Sequence, residues 1–341
     1  MLETIWFFLW GILWAVYFML DGYDLGLGTL LPFMSKNEHD RKAMYAAMGP
    51  HWDGNEVWLI TAGGVTFAAF PTTYAVMFSG LYTALMLILF ALIIRGVSFV
   101  FQGGVDSPGW RKIWDTCLAV GSFLPALLLG VAFGNIFQGL PLDAEGIFQG
   151  GLFTLLNPYG LLGGMLFLFL FLVHGATWGA IKTDGDLQQR LADTAGKLWW
   201  ILLVTAVMFL LATQRRTDLY DNYLKQPVLF VVPALAVVAL VLVKFFLGKA
   251  HYWKAWFASA ATIVSCTLFG VIGLFPRLLP SSLNPDYSLT AFNSSSSPLT
   301  LKIMLGVALT FVPIVILYQY WSHRLFQEKL DEEDVAFEEG Y

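Results

Sequence analysis

Residues 5–31 read IWFFLWGILWAVYFMLDGYDLGLGTLL: an almost unbroken apolar run to Leu20, two acids at Asp21 and Asp24, and a further apolar stretch beyond them. Crossing the hydrocarbon of a bilayer takes about 20 mainly apolar helical residues, and this run exceeds that length. No basic residue precedes it, it outruns the apolar core of a secretory leader, and it ends in DGYD where a leader would place small residues for cleavage. It reads as a retained transmembrane helix, and the rest of the chain has the same character.

Of 341 residues, 57% are hydrophobic and 13% charged, with a mean hydropathy of +0.67. That is more apolar surface than one water-soluble core can bury, so lipid is part of the solvent. Both cysteines, Cys117 and Cys266, lie inside apolar runs, and no CxxC, CxxCH or Cys/His metal spacing occurs. A disulfide framework, a zinc site and covalent haem attachment therefore have no support. A net charge of −5, its acidic excess gathered in the tail from Glu328 to Glu339, gives nucleic-acid binding no electrostatic basis.

Applying the same length template along the chain gives about nine spans, at 5–31, 56–78, 79–101, 114–137, 160–181, 197–213, 228–247, 256–276 and 300–322, in a single polytopic domain. An acidic cytoplasmic tail follows at 323–341. Basic residues mark the cytoplasmic side. Fourteen of the 19 Lys and Arg, from Lys36 and Arg41 through Arg95, Lys182 and Lys244 to Lys329, fall on one side of this scheme, and only Arg215, Arg216, Lys225, Arg277 and Lys302 on the other. The N-terminus is expected outside and the C-terminus in the cytoplasm. Two outward stretches are long, 138–159 and 277–299, and the Asn293–Ser297 run reads as a flexible polar tract.

Ionisable residues at membrane depth are expensive and are functional hypotheses by default. Asp21 and Asp24 share a helix face at a spacing of three; either they cap the inner helix end, or the apolar residues from Leu25 to Phe33 draw them into the bilayer. In His51-Trp52-Asp53-Gly54-Asn55-Glu56, Asp53 sits where an N-cap belongs with Glu56 three residues on, an acidic analogue of a capping box. That reading leaves room for Asp53 to handle protons. Trp52 and Trp58 suit an interfacial aromatic belt. Arg95, in the same cytoplasmic layer, either snorkels to lipid phosphates or is the counter-ion of Asp21, Asp24 and Asp53. His174 is the one histidine inside a span and the only candidate haem ligand; lacking a second ligand, it also reads as a structural core histidine. His39, His51, His251 and His323 carry no signal.

Five longer blocks carry a family likeness: LDGYDLG at 20–26, GPHWDGNEVWLITAGGVTFAAFP at 49–71, GSFLPALLLGVAFGNIFQGLP at 121–141, LLNPYGLLGG at 155–164 and LFPRLLPSS at 274–282. Together they resemble the signature blocks of cytochrome bd-type quinol oxidase subunit II, in the family's order and from the first span to the eighth. The resemblance implies an all-α integral membrane protein of nine helices, expected as two four-helix bundles plus one peripheral helix, although no short-period repeat is visible. It implies a complex that oxidises quinol, reduces dioxygen to water and draws its protons from the cytoplasm. Two b-type haems and one d-type haem are implied in the partner, subunit I; none is expected on this chain alone. Some members hold a structural quinone in this subunit, and small single-span subunits join the complex.

Carried over residue by residue, Trp52 and Asp53 match the WD pair implicated in a cytoplasmic proton channel, Asp24 matches another acid of that region, and Arg95 matches the arginine of an R-x-V-x-F block. Many members place an acid directly after that block, where this chain has Val100; Glu56 is the residue here that would replace it. The competing class on the residues alone is a proton-coupled secondary transporter whose intramembrane acids bind the coupling ion.

Overall fold

Apolar sequence in lipid must satisfy its backbone amides internally, and helix does this segment by segment. In the computed structural model, which describes residues 1–326 and 328–330, α1 runs unbroken over Leu2–Met34. Thirty-three residues at 1.5 Å each make about 50 Å, so Asp24 lies roughly three turns short of the helix end. Asp21 and Asp24 therefore do not cap α1; they are interior to it. Of the acidic tail expected at 323–341, residues 327 and 331–341 lie outside the described residues.

A short helix, α2 (Glu38–Met48), follows, with Asn37 Oδ1 accepting the Asp40 N–H at 2.8 Å at its start. The single span expected at 56–78 is instead two helices, α3 (Trp52–Ala69) and α4 (Pro71–Gly80). Phe70 precedes a proline, whose ring drives it from the helical basin, to φ −135° and ψ 64°. The break is held from outside: the Ala69 carbonyl accepts the Ser296 N–H at 2.8 Å, and the Thr73 hydroxyl donates to Ser294 Oγ at 2.8 Å.

The remaining helices are α5 (Tyr82–Phe101), α6 (Pro108–Gln138), the single turn α7 (Leu152–Leu155), α8 (Pro158–Lys182), α9 (Gly185–Arg216), α10 (Tyr220–Lys225), α11 (Val231–Gly248), α12 (Tyr252–Leu274) and α13 (Pro298–Leu325). Proline opens α4, α6, α8 and α13, where its missing N–H costs nothing. The brief sixth span read at 197–213 is the apolar part of a 32-residue helix, α9, whose polar first turns stand beyond it. Eight of the described helices are long and apolar enough to cross a membrane. α3 is not among them, because Asp53, Asn55 and Glu56 crowd its first turns.

α1, α3 with α4, α5 and α6 form one four-helix group, and α8, α9, α11 and α12 a second; α1 and α6 pack on α8 to join them, while α13 rests on α1 and α3 from outside. The fold is that of an all-α integral membrane protein, with two four-helix bundles and one peripheral helix. Of the α13 side chains only Leu301 is buried. α1 is the axis of the molecule, buried on nearly every side from Trp6 to Leu31, as a helix apolar all round must be.

Close approach of α1 and α8 requires glycine. A Cβ added at Gly26 would stand 1.8 Å from the Phe171 carbonyl oxygen, and one at Gly175 would stand 2.3 Å from the Leu27 nitrogen. Small residues of this kind let membrane helices pack backbone to backbone.

At one end of the bundle the two long loops close into a cap. β1 (Arg277–Leu279) pairs antiparallel with β2 (Leu289–Thr290), and Leu140 joins them by donating to the Pro280 carbonyl at 2.9 Å and accepting from Ser282 at 2.8 Å. The Asn293–Ser297 run, expected to be flexible, is fixed because its polar groups are used. Asn293 Nδ2 donates to the Ser288 carbonyl at 3.0 Å, Ser294 is buried against Thr73, and Ser297 Oγ caps α13 by accepting the Thr300 N–H at 3.2 Å.

Gly175→Val should therefore separate α1 from α8 and cost at least about 3 kcal/mol, the upper part of the overpacking range. Gly248→Ala, where an added Cβ meets nothing within 4 Å, should be neutral. Comparing the melting temperatures and membrane accumulation of the two variants checks this.

Candidate functional site

Three helices deliver the ionisable residues to one layer. α1 carries Asp21 and Asp24, the first turns of α3 carry Asn55 and Glu56, and α5 carries Arg95 six residues before its end. Arg95 grips Asp21 with both arms of its fork: Nη2 donates to Oδ1 at 2.7 Å and Nη1 to Oδ2 at 3.2 Å. Nη1 also donates to Glu56 Oε1 at 2.8 Å. The Arg95 and Asp21 side chains are 0% exposed and that of Glu56 is 22% exposed.

This geometry decides between the readings of Arg95. A snorkelling side chain would keep its head in the interface, whereas this guanidinium is sealed among carboxylates. Its partners are Asp21 and Glu56, and not Asp53 as the sequence suggested. Glu56 is thus drawn inward and does not complete a capping box.

Asp24 is also 0% exposed. Its Oδ2 accepts from Asn55 Nδ2 at 2.7 Å, and its Oδ1 has no partner among the described residues. Two carboxyl groups thus bond one guanidinium, while the third, Asp24, is held by Asn55.

Asp53 stands apart. The helix begins at Trp52, His51 takes the N-cap position without a side-chain bond, and Asp53 is exposed in the first turn, its Oδ1 accepting the Gly54 N–H at 2.6 Å. The N-cap expected of Asp53 is therefore not formed, because α3 starts two residues earlier, at Trp52. Trp52 stacks on Phe99 of α5 with centroids 4.7 Å apart and planes at 6°; it clamps the start of α3 to the end of α5. Trp58 donates through Nε1 to Gln319 Oε1 of α13 at 3.0 Å, so it is a bridge between helices and not merely a belt residue.

A second polar line went unread in the sequence. Asn55 Nδ2 also donates to the Tyr23 oxygen at 2.7 Å, and that hydroxyl lies 3.3 Å from His323 Nε2. His323 Nδ1 faces the Gln319 carbonyl at 2.9 Å. A carbonyl only accepts, so Nδ1 carries the hydrogen and Nε2 accepts from Tyr23. His51 stacks on His323 at 4.1 Å and 5°. Burial first, then the neighbouring His323 and Lys182, push the His51 imidazole down to about 3, which keeps the stacked ring neutral. No local signal could have found this set, because His51 and His323 stand at opposite ends of the chain.

His174 is placed beyond use as a haem ligand. It is 0% exposed, its Nδ1 pairs with Ser259 Oγ at 2.6 Å, its Nε2 with the Met19 carbonyl at 2.9 Å, and its ring stacks on Trp256. With both nitrogens committed it serves to join α1, α8 and α12. Among the described residues no group of three or more His, Cys, Asp or Glu could hold a metal ion.

Fold and site define a multi-pass helical membrane protein built round a buried carboxylate–arginine centre. The chain belongs to the cytochrome bd terminal oxidase subunit II family, whose profile it matches over residues 2–326. It is 38% identical to the probable cytochrome oxidase subunit 2 of Haemophilus influenzae, covering 97% of this chain and 95% of that one. It is 36% identical to the cytochrome bd-I ubiquinol oxidase subunit 2 of Escherichia coli K12 (98% and 96% covered) and 35% identical to the cytochrome bd ubiquinol oxidase subunit 2 of Bacillus subtilis (98% of each). The solved bd oxidase of Geobacillus thermodenitrificans contains a chain of the same fold, with a TM-score of 0.77 at 16% identity over 95% of this chain and 98% of that one.

As a family member the chain is the second subunit of a terminal oxidase, an oxidoreductase complex of the bacterial inner membrane that carries haem and includes a subunit I. None of the comparisons points to the transporter class.

Arg95→Met strands two buried carboxylates and should destabilise the complex by about 3–5 kcal/mol. Adding Asp21→Asn should return part of that loss. Thermal unfolding of the purified complex, with the Asp21→Asn single variant included, reads the cycle; a double loss equal to the sum of the two single losses would mean that the pair is not coupled.

Proposed function

We propose that this chain supports the haem-bearing subunit and hands it protons taken from the cytoplasm, entering at Asp53 and passing through Glu56 to the Asp21–Arg95 pair, with Asp24 beside it. Reduction of dioxygen to water takes up one proton for each electron delivered, so a buried oxygen site needs a proton supply as much as an electron supply. The observation that carries the reading is a gradient of burial along one helix turn. Asp53 is exposed, Glu56 one turn on is mostly covered and bound to Arg95, and Asp21 is sealed. Glu56 also occupies the role that Val100 leaves open. Trp52, stacked on Phe99, holds the entrance in register.

In this reading the N-terminus faces outward and the α2 side of the bundle faces the cytoplasm, in line with the sidedness of Lys and Arg. The electrons come from quinol, oxidised in the complex at the outer face. Two b-type haems and one d-type haem reside in subunit I and supply the redox chemistry there. Small single-span subunits join the complex, lipid covers the remaining apolar faces, and a structural quinone in this subunit belongs to the same picture. Within this chain the residues only bind, orient and move protons.

Asp53→Asn removes the exposed carboxyl with little change of shape. Quinol-driven oxygen consumption by the purified complex should fall roughly tenfold to a hundredfold, the scale expected for a lost proton-transfer group, while the visible haem spectrum stays intact. Full turnover would sink the entry role of Asp53, and loss of the haem bands would make the residue one of assembly.

A further inference from the structure

One face of α1 presents a polar tip at each successive step. Trp10, Trp14, Tyr17, Asp21 and Asp24 recur at intervals of four, three, four and three residues, a spacing that holds them on one stripe. All five are buried. The ends of the stripe are satisfied: Trp10 Nε1 donates to Thr66 Oγ1 at 2.9 Å, Asp21 is held by Arg95, and Asp24 Oδ2 by Asn55.

Four other polar atoms, three on the stripe and one beside it on α5, are not satisfied. Among the described residues the Tyr17 hydroxyl, Trp14 Nε1, Asp24 Oδ1 and Arg95 Nε have no hydrogen-bond partner. Tyr17 is 0% exposed; it lies near the charges of Asp21, Glu56 and Arg95, and its hydroxyl approaches the Asp21 carboxylate only closely enough for a marginal hydrogen bond. Buried polar atoms without partners cost about 1–3 kcal/mol each, and several together along one face are unusual. The four are complementary in kind. Trp14 and Arg95 donate only, a carboxylate oxygen accepts, and the tyrosine hydroxyl does both. Each is of a kind that a buried water can bond, and the ten steps of helix from Trp14 to Asp24, about 15 Å, leave room for more than one such water, each taking two to four polar partners.

We propose that this stripe binds internal water and that the Tyr17 hydroxyl is a relay group of the proton route, extending it from the Asp21–Arg95 pair a further turn along α1 toward Thr66. The inference rests on the proton-delivery reading above. A water at Asp21 that has taken up an excess proton from the cluster passes one proton to the Tyr17 oxygen as the hydroxyl gives its own to a water held by the Trp14 N–H, so the first water ends neutral and the second carries the excess proton onward. Tyr17 begins and ends neutral, one O–H bond forms as another breaks, and no oxidant or reductant takes part. Trp14 orients the second water and transfers nothing.

Tyr17→Phe keeps the ring, which packs edge-on against Trp14 at 6.1 Å, and removes only the hydroxyl. In the intact complex with unchanged haem bands, oxygen reduction should slow on the order of tenfold, with a larger solvent deuterium isotope effect than the unmodified complex. Native turnover with a native isotope effect would overturn the proposal. Asp53→Asn, measured alongside, separates the two claims: if it is impaired while Tyr17→Phe is normal, only the extension fails; if both are normal, the delivery reading fails with it. Should Tyr17→Phe not assemble, Trp14→Phe decides, with slowed turnover and a raised isotope effect expected, and native values overturning the proposal.

Discussion

The bidentate grip of Arg95 on Asp21 is the interaction around which this half of the molecule is organised. Taking a guanidinium and a carboxylate out of water costs several kcal/mol per ion, and the cost is offset only where geometry is good and further hydrogen bonds complete the shell. The geometry is good at the meeting of α1, α3 and α5, where the fork is closed and Glu56 adds a further acceptor, and among the described residues only Arg95 Nε of this guanidinium stays without a partner. A buried pair of this kind contributes less to stability than to register, since one arrangement of three helices satisfies it and sliding any of them leaves a charge stranded.

The neighbouring contacts serve the same register. Trp52 on Phe99 fixes α3 to α5, Trp58 with Gln319 fixes α3 to α13, and the glycine crossing of Gly26 and Gly175 seats α1 on α8. Membrane helices gain little from the hydrophobic effect when they associate, because lipid tails are as apolar as leucine. Polar contacts and close backbone packing carry a larger share here than they would in a soluble bundle. The peripheral α13 illustrates the point, with its side chains almost wholly exposed and its polar ties to α1 and α3 made through Leu301, Gln319 and His323.

Much of this was legible in the sequence, and the part that was not has a physical cause. Apolar runs announce membrane helices by length alone, so α1, α5, α6, α8, α11, α12 and α13 were evident, and the cost of buried charge singled out Asp21, Asp24 and Arg95. Of the partners of Arg95, Asp21 was among the acids proposed, but Glu56 was not, because it satisfies a local capping pattern equally well and only the crossing of α3 with α5 decides. The break at Phe70 falls inside the span expected at 56–78, and although Pro71 is visible in the sequence, what holds the break is Ser294 and Ser296, far along the chain. Tyr23, Asn55 and His323 look unremarkable one at a time, and become a hydrogen-bonded line only when helices from both ends of the sequence meet.

α3 is pinned at both ends, by Asn55 and Glu56 to the buried cluster and by Ala69 to the loop that caps the break, with Thr66 tied to Trp10 between them. The helix therefore acts as a gauge of fixed length. One residue inserted between Glu56 and Thr66 would turn one set of anchors about 100° relative to the other and shift it about 1.5 Å, so neither end could be kept without releasing the other. A change of length fits better where no such double anchorage exists, such as the exposed turn at Gly103 and Gly104, and the spacing of α3 is as much a part of the site as the residues that line it.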